Sequence, residues 1–169
     1  MPSFAYAKPP LKEFMSYTVR LPKMEDYDQI NDLGRWFQEN SIYENCAWSP
    51  KKCHAMLVNC VEKQNPMFLR VVEKDNEIVG FFLGILTEYF FSTKKIANEL
   101  VVIFKEDHRD GIAKPIIKML IDFETWAKKH GAHEINVGIV SGIAGSGYSK
   151  LLTRYGLKEV GQIYKKKQV

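Results

Sequence analysis

The chain has 169 residues, 46% of them apolar and 26% charged. That is enough to bury a core, and it excludes a largely disordered chain. The formal net charge of +4 is mild, and the one dense basic run, Lys165, Lys166 and Lys167, reads as a solvated tail, not a nucleic-acid stripe. No apolar run is long enough to span a bilayer.

The opening "MPSFAYAKPPLKEF" has no apolar run of signal-peptide type and reads as a proline-interrupted arm over residues 1–15, ahead of one domain over 16–169. "SYTVRL" (16–21) alternates as a strand does. From Met24 to Asn40 the residues Tyr27, Ile30, Leu33 and Phe37 recur at helical spacing, behind acidic residues that suit a helix start. "SIYENCAW" (41–48) is an aromatic-bearing connection, and Ser49-Pro50 reads as the cap and first residue of a second helix. That helix carries Cys53, Met56, Leu57, Cys60 and Val61 on one stripe and ends at "KQNP" (63–66).

Cys53 and Cys60 lie two helical turns apart, too far for a disulfide, and with Cys46 they read as free thiols in a reducing compartment. His54 points off their face, so no metal site is expected.

"MFLRVVEK" and "EIVGFFLGIL" flank Asp75-Asn76, a tight hairpin turn. Gly80 and Gly84 interrupt the second of these strands, which predicts a bulge or a close backbone approach. "TEYFFSTKK" (87–95) reads as a connection to the strand "IANELVVIFK" (96–105). A long helix with Ala113, Ile116, Ile117, Leu120, Phe123 and Ala127 on its stripe follows, closed by Lys128, Lys129, His130 and Gly131. "EINVGIV" (134–140) is a strand, "GSGYSKLLTRYG" (145–156) a short helix, and "LKEVGQIYKKK" a last strand.

Between the 96–105 strand and the long helix lies "FKEDHRDGIAKP". A strand that runs into a helix through glycine exposes free N–H groups at a positive dipole end, which attract phosphate. Gly111 lets the backbone approach an anion, Arg109 adds a charge, and Pro115 falls early enough in the helix to cost at most one bond. A plain capped turn fits the same residues.

The element order and this turn together resemble the GNAT superfamily of N-acyltransferases, whose pyrophosphate loop is R/Q-x-x-G-x-G/A. His108-Arg109-Asp110-Gly111-Ile112-Ala113 is similar to it. His108 stands at the Arg/Gln position; alternatively Arg109 is the expected arginine and the loop is one residue short. The resemblance covers roughly residues 16–164, and "HRDGIAKPIIKMLIDFETWAKKHGAHEINVGI" is similar to GNAT-type proteins of tailed phages.

The resemblance implies an α/β fold, a mixed and mostly antiparallel sheet with helices on both faces. It implies acetyl-CoA as co-substrate with no metal, and acetyl transfer to an amine-bearing small molecule or protein. The cofactor would meet residues 108–113 and the backbone near Val102, Ile103 and Phe104. Glu99 is the first candidate base and Glu88 the second; the alternative for each is a solvated or salt-bridged strand-end carboxylate. The family's acidic tyrosine falls on Leu152, so Tyr148, one turn earlier, or Tyr155 would replace it, and Leu157 stands where phenylalanine is usual. Tyr43, Trp48, Tyr89, Phe90 and Phe91 would wall the acceptor side or close the core. The setting would be the cytoplasm, the host's if the chain is phage-encoded, with no membrane partner and a homodimer left open. A non-catalytic interaction module with the same fold is the alternative.

Overall fold

The computed structural model describes residues 17–62, 67–108, 111–138, 146–161 and 163–166. Five strands form one sheet in the order β1-β2-β3-β4-β5: β1 is Thr18–Arg20, β2 Met67–Lys74, β3 Glu77–Tyr89, β4 Ser92–Phe104 and β5 Ala132–Asn136. The first three pairings are antiparallel and β4–β5 is parallel. The helices are α1 (Tyr27–Glu39), α2 (Pro50–Glu62), α3 (Ala113–Lys129) and α4 (Ser146–Tyr155).

The near-continuous apolar runs of β2 and β3 are explained by burial on both faces of the sheet. Phe68, Val72, Val79 and Phe82 face α3, where they pack with Met119, Leu120, Phe123 and, from α4, Leu152. Their neighbours Leu69, Val71, Ile78 and Phe81 face the other way and pack with Ile30, Leu33, Cys53 and Leu57 of α1 and α2. All three cysteines are free.

The Asp75-Asn76 turn has both φ angles positive, 52° and 63°, the two-residue geometry that matches strand twist. Gly80 and Gly84 are sites of close approach: a Cβ would come within 2.6 Å of the Phe104 ring at one and of the Phe123 ring at the other. Ser49 caps α2, its Oγ accepting the Lys52 N–H at 3.3 Å. Pro115 is the third residue of α3, where its missing N–H would have had no acceptor inside the helix.

Three expected elements change. Residues 87–95 form no separate connection, because β3 runs to Tyr89 and β4 starts at Ser92, leaving Phe90-Phe91 as the hairpin tip. Alternating side chains and a partner strand outweigh the turn-like composition there. "LKEVGQIYKKK" forms no strand among its described residues. A strand needs a neighbour to pair with, and this segment has none among the described residues. The predicted 134–140 strand starts and ends earlier, at Ala132–Asn136, and residues 139–145 lie outside the described ones, as does the 1–15 arm.

Beside β1, Arg20 forks onto Asp26 at 2.8 and 2.9 Å and reaches Glu73 of β2 at 2.6 Å. Asp26 is buried and also accepts the Lys23 N–H at 2.7 Å. Burial alone would lift its carboxyl, but Arg20 and that N–H outweigh burial and hold it below the usual range.

Candidate functional site

β4 and β5 pair from Lys95↔Ala132 to Asn98↔Asn136 and then part, while β4 stays paired with β3 as far as Phe104. β4 also shifts register against β3 between Leu83 and Gly84, whose partners are Val101 and Glu99, so Leu100 is the bulged residue. Past Asn98 the β5 side of β4 therefore has backbone groups that no described strand pairs, those of Val102 and Phe104, while the groups of Ile103 between them face β3. The side chains of Ile103 and Phe104 are buried, so only main chain is offered there.

Glu99 sits at the point of parting. Its carboxylate accepts the Gly138 N–H at 2.9 Å, just past the end of β5. Part of the side chain stays accessible, yet burial of the carboxyl pushes it up to about 7 against the pull of that hydrogen bond. Tyr148, from the first turns of α4, lies close enough for the Glu99 charge to act on it. Burial first and Glu99 second raise its hydroxyl well above the ordinary phenol value. That hydroxyl is buried and has no hydrogen-bond partner among the described residues. A buried, unpaired phenol beside a carboxyl is costly unless something else comes to occupy the site.

The other tyrosine is committed elsewhere: Tyr155 donates its hydroxyl to Glu124 of α3 at 2.8 Å. Leu152 is buried in the α3-side core. The acid position implied by the resemblance is thus a packing position here, and the free hydroxyl stands one turn earlier. Glu88 is exposed at the hairpin end of β3, opposite Lys95. It lines a separate cleft of about 280 Å³ with Leu86, Thr87, Lys95 and His130. The fold does not bring Glu88 to Glu99.

At the other end of β4 a short 3-10 helix, Glu106–His108, leads toward α3. The His108 ring packs edge-on against Tyr17 at 6.3 Å, and its Nδ1 is buried with no hydrogen-bond partner among the described residues. Arg109 and Asp110 lie outside the described residues. Gly111 has φ +80°, in the left-handed region, and a Cβ there would meet nothing nearer than Tyr17 at 3.9 Å. Ile112 precedes α3 and makes no side-chain cap bond, so the first amides of Ala113 and its successors are not capped by it.

The aromatic candidates divide. Trp48 is structural: its Nε1–H donates to Asn31 at 2.9 Å and its ring fills the space over Gly34. Tyr43 packs against Phe37 of α1. The Tyr89 hydroxyl hydrogen-bonds Glu134, and this with burial and the charge pushes it up to about 12. Phe90 and Phe91 are exposed at the tip, at 99% and 71%.

Gly138 was legible only as part of a strand, and nothing local marks it as the donor to Glu99. The file Thr87, Asn98, Asn136, joined by side-chain bonds of 2.8 and 3.2 Å across β3, β4 and β5, was equally unmarked. Among the described residues no helix is long and apolar enough to cross a membrane, and no group of three metal-ligating side chains converges.

No protein-family model and no curated protein matches the sequence. Solved structures do match in fold. An aminoglycoside N-acetyltransferase, AAC(6')-Iy, in complex with CoA superposes with a TM-score of 0.68 at 8% identity, over 94% of this chain and 98% of that one. An aminoglycoside acetyltransferase from an uncultured soil metagenomic sample gives 0.66 at 15% identity, over 92% and 100%. Glucosamine-6-phosphate N-acetyltransferase from Arabidopsis thaliana gives 0.65 at 10% identity, over 90% and 98%. The parting of β4 and β5 and the helices on both faces are thus set in the fold of the GNAT acetyltransferases.

Proposed function

We propose that the protein is an N-acetyltransferase that moves an acetyl group from acetyl-CoA to a primary amine. The observation that carries this reading is the placement of Glu99 near the Tyr148 hydroxyl, which is buried without a partner among the described residues, where β4 and β5 part.

Acyl transfer from a thioester to an amine needs a base for the amine, donors for the carbonyl oxygen and an acid for the leaving thiolate. Glu99, with its carboxyl pushed up to about 7, takes a proton from the acceptor near neutral pH. Tyr148 stays protonated, because burial and Glu99 both oppose its ionisation, and it gives its proton to the thiolate. Free N–H groups of β4 near Val102, Ile103 and Phe104 support the charge that builds on the carbonyl oxygen. The open side of β4 accepts the extended pantetheine arm as a strand edge accepts a peptide.

The diphosphate rests on the start of α3, with Gly111 giving close access and His108, Arg109, Asp110, Ile112 and Ala113 around it. The buried Nδ1 of His108, which has no partner among the described residues, fits a site that is completed by a ligand. Fold neighbours solved with CoA, among them one bound to a bisubstrate analogue, support the same co-substrate.

The second reading, a non-catalytic module of the same fold in a phage-associated setting, is favoured by one observation: the family's tyrosine position is a core leucine, Leu152. Calorimetric titration of acetyl-CoA into the wild type and Gly111→Glu, followed by mass spectrometry of an amine panel, separates the two. The enzyme reading expects binding, a loss of several kcal/mol in the variant from clash and like charge, and a mass gain of one acetyl group on an amine. Binding with no acetylated amine would favour the module, and no binding at millimolar ligand would end the anion-site reading and leave the module.

A further inference from the structure

The hairpin of β3 and β4 outruns its neighbours. β2 stops pairing with β3 at Ile85, and β5 starts pairing with β4 at Lys95. Among the described residues no other strand flanks the tip between Tyr89 and Lys94. Phe90 and Phe91 stand exposed at its end. Their ring centres lie 4.9 Å apart, edge to face, and the Tyr89 ring lies beside Phe91 at 5.3 Å. The three rings form one aromatic cluster held outside the core. Leaving its apolar faces in water forgoes the free energy that burial would give.

The groups behind the rings are graded in polarity. Tyr89 comes first, its hydroxyl bonded to Glu134. Lys94 and Lys95 follow, both exposed, and as successive residues of β4 they point to opposite faces of the hairpin. At about 3.4 Å per residue they stand roughly 10–14 Å behind Phe91. Lys129 ends α3 on the same side of the sheet, since the next residue, His130, lines a cleft with Glu88 and Lys95. Among the described residues none of Lys94, Lys95 and Lys129 is ion-paired. The carboxylates nearby are Glu88, across from Lys95, Glu134, which accepts from Tyr89, and Glu124, which Lys128 takes up.

Apolar rings, then a phenol, then cations is the order of chemistry met on leaving a bilayer's acyl chains for its interface and its phosphates. An apolar surface that rests in this boundary enters it by about 5–10 Å, the depth this tip offers ahead of its lysines. A pocket on another protein would take the rings but would not call for cations on both faces behind them. The absence of a run long enough to span a bilayer limits crossing and not contact. We propose that the Phe90-Phe91 tip docks the protein on an anionic lipid surface, with Lys94, Lys95 and Lys129 meeting the headgroup phosphates. The contact is peripheral and reversible, because two rings and three cations hold far less firmly than a spanning helix. It uses neither Glu99 nor Tyr148, so it stands apart from the acetyl transfer proposed above.

Flotation of the full chain with vesicles tests this, comparing phosphatidylcholine alone with phosphatidylcholine holding about a third phosphatidylserine. The wild type should bind the mixed vesicles at least about tenfold more tightly than the neutral ones and lose that preference in added salt. Phe90→Ser/Phe91→Ser should weaken binding to the mixed vesicles at least about tenfold. Lys94→Gln/Lys95→Gln should weaken it about fivefold for each lysine. The altered side chains lie outside the core, so circular dichroism of both variants should match the wild type. Hydrogen exchange gives a second readout, with the amides of residues 89–94 slowing on the mixed vesicles. A wild type that stays free of the mixed vesicles overturns the proposal, and so does binding that either double variant leaves intact. A concentration-dependent dimer in light scattering that Phe90→Ser/Phe91→Ser abolishes would give the tip to a second copy and also overturn it.

Discussion

The Glu99 carboxylate and the Gly138 N–H meet at 2.9 Å just beyond Asn98 and Asn136, the last residues that β4 and β5 pair. A single side-chain bond thus spans the opening of the gap in which the proposed chemistry takes place. It holds the carboxyl in place without neutralising it. Gly138 supplies only one donor against the burial that pushes Glu99 up to about 7.

Glu99→Gln keeps an acceptor for Gly138 and removes the base. Acetyl transfer should fall on the order of a hundredfold or more, with acetyl-CoA affinity nearly unchanged. The wild-type rate should rise with pH through about 7, as Glu99 ionises, and the variant should lose that step. Rate against pH for both proteins checks this, and superimposed profiles would assign the base elsewhere.

The same carboxyl makes stability depend on pH. Its folded value is raised from 4.5 to about 7, so the folded state binds the proton more tightly than the unfolded one. Stability is then full below the unfolded value and falls as pH rises from 4.5 to about 7. With part of the side chain accessible, the loss should be on the order of 2 kcal/mol, absent from Glu99→Gln. Urea unfolding of both proteins across that range measures the difference.

Tyr148→Phe removes a buried hydroxyl that has no partner among the described residues. Stability should rise by about 1 kcal/mol, a Tm gain of roughly 2–4 °C, while acetyl transfer falls. Opposite signs for stability and rate are the expected result. A stabilised variant with unchanged turnover would show that Tyr148 only packs.

Leu152→Tyr introduces a hydroxyl and extra volume among Phe104, Ile116 and Leu120. It should cost about 1–3 kcal/mol and give no gain in turnover, since the position belongs to the core. Thermal unfolding and a transfer assay on the same preparation decide it.

Asp26→Asn weakens the fork from Arg20 and leaves a half-buried guanidinium with Glu73 as its one remaining carboxylate partner among the described residues. A loss of about 2–4 kcal/mol is expected near neutral pH. Because the Asp26 carboxyl is held below its usual 3.8, the wild-type advantage is present above that value. It disappears as pH falls through the lower, folded value. Unfolding midpoints for both proteins between neutral and strongly acid pH should converge.

Much of the fold is local and could be read from the chain. Helical stripes, the Ser49-Pro50 start of α2, the Asp75-Asn76 turn and the glycine at 111 follow from the backbone preferences of a few neighbouring residues. The Glu99 and Tyr148 candidates were found by position, but their proximity was not visible in the sequence. Their meeting depends on where β4 stops pairing with β5 and on how α4 lies across the α3-side core. The same packing decided that Leu152 is interior and that Tyr155 is tied to Glu124. The hairpin through Phe90-Phe91, and the last expected strand that the described residues after 156 do not form, mark the limit from both sides. A strand is fixed by the neighbour it pairs with, and sequence pattern alone supplies the tendency to pair but not the partner.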